Sequence, residues 1–142
     1  MKPKTDPRHT ARRLALSSIF CWMFTEPDIE ACMTLSAELM EDELRDKELV
    51  DYIVAGVRAN LDKIYNIIQE SAPEWPLDKI AKVDLGILRI AIFEIVYGDK
   101  TPLKVAIDEA VELAKEFGND TSHKFVNGVL GTVVDKYCKK EK

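Results

Sequence analysis

Cysteine, histidine and glycine are scarce in this chain, and each scarcity removes a class of function. The three cysteines, Cys21, Cys32 and Cys138, stand far apart with no C-x-x-C pair. That excludes a disulfide-dense scaffold and a thiolate zinc site, and it predicts reduced, structural thiols in a cytoplasmic protein. The two histidines, His9 and His123, have no metal-ligand partner at short range. No glycine-rich phosphate loop and no Ser-His-Asp or Cys-His constellation is present, so no enzyme chemistry, metal or cofactor is expected. Six glycines and six prolines are too few for a loop-rich fold. No apolar run reaches the roughly 18 residues that would span a membrane. The opening MKPKTDPRH has no apolar signal core, so neither export nor membrane insertion is expected.

What is present is a charged, apolar-rich chain of 142 residues, 46% hydrophobic and 32% charged. That balance fits a soluble domain with a substantial core. The net charge of −5 opposes nucleic acid only on average, because it is unevenly spread. Residues 1–25 carry Lys2, Lys4, Arg8, Arg12 and Arg13 against Asp6 alone. Residues 26–48 carry nine acids against Arg45 and Lys47. From 119 onward five lysines outnumber Asp120, Asp135 and Glu141. Basic ends leave room for a polyanion to land locally, although basic termini also serve solubility alone.

The periodicity is helical throughout, with no β-alternation and no repeat, so the fold class is all-α with about seven helices. A first helix is predicted from about Pro7 to Phe24, ended by Pro27, and a second from about Asp28 to Met40, followed by the acidic turn EDELRDKE. A long third helix is predicted from about Lys47 to Glu70, with Leu49, Ile53, Val57, Leu61, Ile64 and Ile68 on one face. Pro73-Glu74-Trp75-Pro76 is the clear break, with Trp75 expected to plug it, and a short turn of helix follows at Leu77 to Ala81. The next helix, about Val83 to Tyr97, is apolar on nearly every side and should be the most buried. The break divides one domain, residues 1–142, into helical halves of about 7–72 and 76–139.

The segment TPLKVAIDEAVELAKEFGNDTSHKFVNGVL, from Thr101 to Leu130, is the most specific in the chain. Thr101 suits a cap, Pro102 a first turn, and Leu103, Ile107, Ala110, Val111, Ala114 and Phe117 a buried stripe. Gly118 and Asn119 tolerate the left-handed conformation that ends many helices. On the helix that follows, Val126, Leu130, Val133, Val134 and Tyr137 form the expected core face. Phe125 lies roughly 100° from Val126, Lys124 points nearly away, and Asn127 occupies the other flank beside Gly128. A ring, an ammonium, an amide and a helix N-terminus together suit RNA: the ring for a base, the cation for phosphate, the amide for base edges. Residue types alone equally allow Phe125 to be core and Lys124 to be a solvated charge.

On the first helix the apolar stripe Leu16, Ile19, Phe20, Met23 and Phe24 continues backwards into His9, Arg12 and Arg13. A face that turns from apolar to basic predicts two helical turns overhanging the core, with arginines lining a groove. A frayed start is the alternative. Trp22 falls off the stripe, for packing or for a partner. Asp84, Arg89 and Glu94 are spaced by five residues and scatter around their helix, which suits ion pairs to other helices better than a catalytic dyad.

The segment PLKVAIDEAVELAKEFGNDTSHKFVNGVL, with ARRLALSSIFCW at 11–22 and VDLGILRIAIFEI at 83–95, resembles the NusB family of transcription antitermination factors over nearly the whole chain. The resemblance implies two three-helix groups sharing one core. It implies binding to the boxA element of nascent ribosomal RNA transcripts, jointly with NusE, a small-subunit ribosomal protein, within the RNA polymerase antitermination complex. Matched residue by residue, the RNA set is Arg8, Arg12, Arg13, Lys124, Phe125 and Asn127, and the NusE surface includes Phe20, Asp84 and Thr121. Arg13 stands where glutamate is frequent, Ser17 where glutamine is, Phe20 where tyrosine is usual and Thr121 where aspartate is frequent. Whether the chain forms a homodimer stays open. Two other readings remain: a helical protein–protein module without RNA, and a stand-alone relative of the RNA-binding domain of ribosomal RNA methyltransferases, the chain ending at Lys142 with no methyltransferase domain.

Overall fold

The computed structural model describes residues 7–25, 31, 33–34 and 47–138. The helix expected at 28–40 falls outside the described residues apart from helical backbone at Ala31, Met33 and Thr34. The acidic turn, Lys2, Lys4 and the last four residues also lie outside them. Among the described residues six α-helices follow in order: α1 (Pro7–Thr25), α2 (Lys47–Ala59), α3 (Leu61–Ser71), α4 (Lys82–Ile92), α5 (Leu103–Phe117) and α6 (Ser122–Tyr137), with a short 3-10 turn at Leu77–Lys79 between α3 and α4. There is no strand among the described residues. The chain divides into two compact units, Met1–Ala55 and Gly56–Lys142. The division falls inside α2, whereas the proline content placed it near 72–76.

In the first unit, α1 buries far more than one stripe. Ala11, Leu14, Ala15, Leu16 and Ile19 are core residues, and Ser18 is buried with its hydroxyl donating to the Leu14 carbonyl at 3.0 Å. Phe20, Met23 and Trp22 are only part-buried, and the Phe24 side chain lies outside the described residues. The expectation of an overhanging start is corrected here: His9, Thr10 and Arg12 are buried, Arg12 to 2% exposure. Periodicity recorded that this face turns basic, but it could not show that the fold covers the basic turn. Cys21 is disulfide-bonded, which corrects the expectation of three reduced thiols, while Cys138 is free and buried. Spacing along the chain carries no information about which thiols folding brings within bonding range.

The second unit is built on α4. Its residues Asp84 to Leu88 and Ile90 to Ile92 are all buried, as its all-round apolar character requires. Helix α4 packs on α3, α5 and α6, while α6 packs on α3 and α5. The long helix expected at 47–70 is two helices meeting at Asn60. That residue leaves helical geometry (φ −115°, ψ 21°) and turns its amide back, Nδ2 donating to the Gly56 carbonyl at 2.8 Å. The side chain thereby competes for a carbonyl that serves the helix ladder. Gly56 is required by space: a Cβ there would lie 2.1 Å from Cζ of the buried Phe93 ring.

Helix α4 continues as a π-helical turn, Phe93–Tyr97, closed by Gly98 N–H donating to the Phe93 carbonyl at 2.7 Å. Thr101 does not cap α5. Its hydroxyl donates to Oε2 of buried Glu94 at 2.7 Å, which satisfies a carboxylate that burial would otherwise penalise. Gly118 ends α5 with extended backbone (φ −91°, ψ −172°) rather than the left-handed geometry expected. Its need is again steric, since a Cβ would meet the Ser122 side chain at 2.4 Å.

Candidate RNA-binding face on the last helix

Helix α6 starts where the Gly118 turn delivers it. Asn119 organises that turn: its Oδ1 accepts from the Thr121 N–H and Thr121 hydroxyl, both at 2.9 Å, and its own N–H donates to the Ser122 hydroxyl at 3.0 Å. The short polar side chain thus replaces the helical partners that the incoming backbone lacks. Ser122 is 1% exposed, so the first turn of α6 is anchored from inside.

From that anchor the helix presents two faces. Ser122, Val126, Val129, Leu130 and Val133 are buried. Lys124, Asn127, Gly128 and Gly131 are exposed, and a Cβ at either glycine would meet nothing within 4 Å. The expected core face is therefore corrected at its C-terminal end. Val134 is part-buried and Tyr137 is exposed, because the buried face runs through Val129 instead. The Tyr137 hydroxyl donates to Oε1 of Glu70, and Lys136 Nζ donates to the Glu70 carbonyl at 2.7 Å. The hydrogen bond to Glu70, whose carboxylate also repels a phenolate, pushes the Tyr137 pKa up to about 12.

Phe125 lies at the margin between the faces, part-buried. Its ring meets that of Trp75 edge to face, centroids 5.9 Å apart and planes at 72°. Trp75 was expected to plug the proline turn, yet it is 46% exposed. The sequence offered one clue to this pairing, an aromatic residue held between two prolines, and no means of knowing which helix it would face. Lys124, Phe125 and Asn127 thus share the first turns of α6, with Phe125 on one flank beside an unforeseen aromatic neighbour and Asn127 on the other.

Arg8, Arg12 and Arg13 belong to the other unit. Arg8 is exposed, Arg13 part-buried and Arg12 buried. Of the residues expected at a protein partner, Phe20 is part-buried, Thr121 is exposed with its hydroxyl bound to Asn119, and Asp84 is buried. Asp84 therefore offers little surface, and its Oδ1 has no hydrogen-bond partner among the described residues. It lies in the first turn of α4, where a negative charge complements the helix dipole. Burial lowers the Arg89 pKa. No cluster of metal-ligating side chains occurs among the described residues, and no described helix is long and apolar enough to cross a membrane.

An all-helical chain that sets a cation and an amide on the exposed side of its last helix, with an aromatic pair at the margin, presents the residue types that nucleic-acid-binding proteins use. The comparisons narrow the class. Residues 9–135 match the NusB family model. A transcription antitermination protein NusB of Herpetosiphon aurantiacus is 44% identical over 91% of this chain and 90% of its own length. That of Roseiflexus castenholzii is 42% identical over 95% and 96%. A solved structure of T. maritima NusB superimposes with TM-score 0.81 at 30% identity, covering 99% of this chain and 97% of that one. A structure of NusB and NusE in complex with dsRNA shares the fold, with TM-score 0.83 at 21% identity over 94% and 99%. The chain belongs to the NusB family.

Proposed function

We propose that the chain is a transcription antitermination factor that binds boxA RNA of nascent ribosomal RNA transcripts together with NusE, within the RNA polymerase antitermination complex of the cytoplasm. It does so by binding rather than by enzyme catalysis. The observation that carries the reading is the α6 cluster, where Lys124 and Asn127 are exposed and Phe125 sits half-open on Trp75. Lysine neutralises phosphate, the amide reads a base edge and the ring offers a stacking face. The family match over residues 9–135 supports it, as does the NusB–NusE–RNA complex known for a protein of the same fold.

RNA contacts are assigned on each unit separately. Lys124, Phe125 and Asn127 serve on the second. Arg8 and Arg13 serve on the first, where buried Arg12 positions the start of α1 instead of meeting phosphate itself. NusE contacts are likewise assigned on each unit separately, Phe20 on the first and Thr121 on the second, while buried Asp84 offers little surface for one.

Calorimetric titration tests the reading. NusE should raise the affinity for boxA RNA, and boxA RNA should raise the affinity for NusE by the same factor, since coupling between two ligands is reciprocal. An identical NusE affinity with and without boxA RNA would contradict it.

A further inference from the structure

We infer that Trp75 is a second base-stacking residue for single-stranded RNA, forming with Phe125 a right-angled aromatic corner that holds an unpaired base. The inference rests on the RNA reading of α6 and extends it to a turn far away in sequence. Trp75 is 46% exposed, a large apolar surface to leave in water, yet its position is closely held. Prolines flank it at 73 and 76, its N–H donates to the carbonyl of buried Ala72 at 3.0 Å, and Lys79 N–H donates to the Pro76 carbonyl at 2.8 Å. Little backbone freedom is left to lose on binding, which favours a preorganised contact. The interplanar angle of 72° sets the two rings nearly perpendicular. A base lying flat on one ring therefore directs its edge toward the other, an arrangement aromatic groups prefer.

On the α6 side of the corner the exposed groups suit a nucleotide, whereas exposed Glu74 and Asp78 on the turn itself direct the phosphate to that side. Lys124 precedes Phe125 and supplies the cation for the phosphate, while exposed Asn127, on the other flank of the helix, offers its amide to a neighbouring nucleotide. Gly128 leaves the backbone beside them bare, with open space where a side chain would stand. Stacking is tolerant of base identity because every base has a π-face, so Trp75 contributes affinity more than sequence choice.

The test uses the full chain with Trp22→Phe, which leaves Trp75 as the sole tryptophan reporter, and a short single-stranded RNA carrying boxA. Emission from Trp75 should be quenched with the same midpoint as the anisotropy of the labelled RNA. In the otherwise unchanged chain, Trp75→Leu should weaken binding by roughly 5- to 150-fold, the range for loss of one base–aromatic stack, and Trp75→Phe should restore most of it. Circular dichroism of each variant should match the parent, because the ring is half in solvent. RNA that binds by anisotropy without altering Trp75 emission, and that binds Trp75→Leu as tightly as the parent, would overturn the inference while leaving the proposed function standing. Quenching by NusE but not by RNA would also overturn it and assign the corner to the protein partner. Failure of the parent chain to bind boxA RNA at all, with or without NusE, would remove both.

Discussion

Phe125→Ala separates a core phenylalanine from an RNA-facing one, and the two roles predict different magnitudes. A fully buried phenylalanine cut to alanine costs about 3–5 kcal/mol. Phe125 is only part-buried, and the face of α6 beneath it is already filled by Val126, Val129, Leu130 and Val133. What truncation removes is part of one ring's burial and the edge-to-face contact with Trp75, the latter worth about 0.5–1.5 kcal/mol. The stability loss should be about 1–2 kcal/mol. For a chain of this length that is a fall in Tm of roughly 3–10 °C. Affinity for boxA RNA should fall by a further 1–3 kcal/mol, about 5- to 150-fold, beyond anything due to unfolding. NusE binding without RNA should be nearly unchanged. Thermal melting by circular dichroism and RNA anisotropy well below Tm measure the two quantities separately. A loss above about 4 kcal/mol with unchanged RNA affinity in the folded protein would refute the reasoning.

Gly56→Ala should destabilise by about 1–3 kcal/mol despite alanine's better helix propensity, because the new methyl would sit 2.1 Å from the buried Phe93 ring. Phe93→Leu in the same chain should recover part of that loss, and denaturant melts of the double-mutant cycle would show the coupling. Tyr137 binds its proton more tightly when folded than its usual value near 10 allows, so its contribution to stability is complete below about pH 10. It should be lost as pH rises toward about 12. Tyr137→Phe should flatten that alkaline limb, as urea melts across the range would reveal.

The helical content was legible because periodicity reports burial directly: α4 reads as apolar on nearly every side and is buried on nearly every side. The interruptions were less legible because they arise between elements distant in sequence. Asn60 breaks the long helix through a local amide contact that its composition permits but does not demand. Gly118 looks like a conformational residue and Gly56 gives no signal, yet each is needed for a close approach, to Ser122 and to Phe93 respectively. Thr101 looks like a cap until the fold brings Glu94 beside it. At the candidate site, Lys124, Phe125 and Asn127 could be placed at the edge of α6 by helical geometry alone. Trp75 could not, since only packing decides which helix a proline-bound turn meets. Arg12 shows the opposite failure, a charge that reads as lining a groove beyond the core and is buried.

The salt dependence of boxA RNA binding tests the central claim most directly. With Arg8, Arg13, Lys124 and one further cation meeting about four phosphates, log K against log salt should slope at roughly −3 for a single strand. Lys124→Gln should flatten that slope by about 0.7, the share of one phosphate. A slope near zero, or one that Lys124→Gln leaves unchanged, would contradict an RNA face on the start of α6.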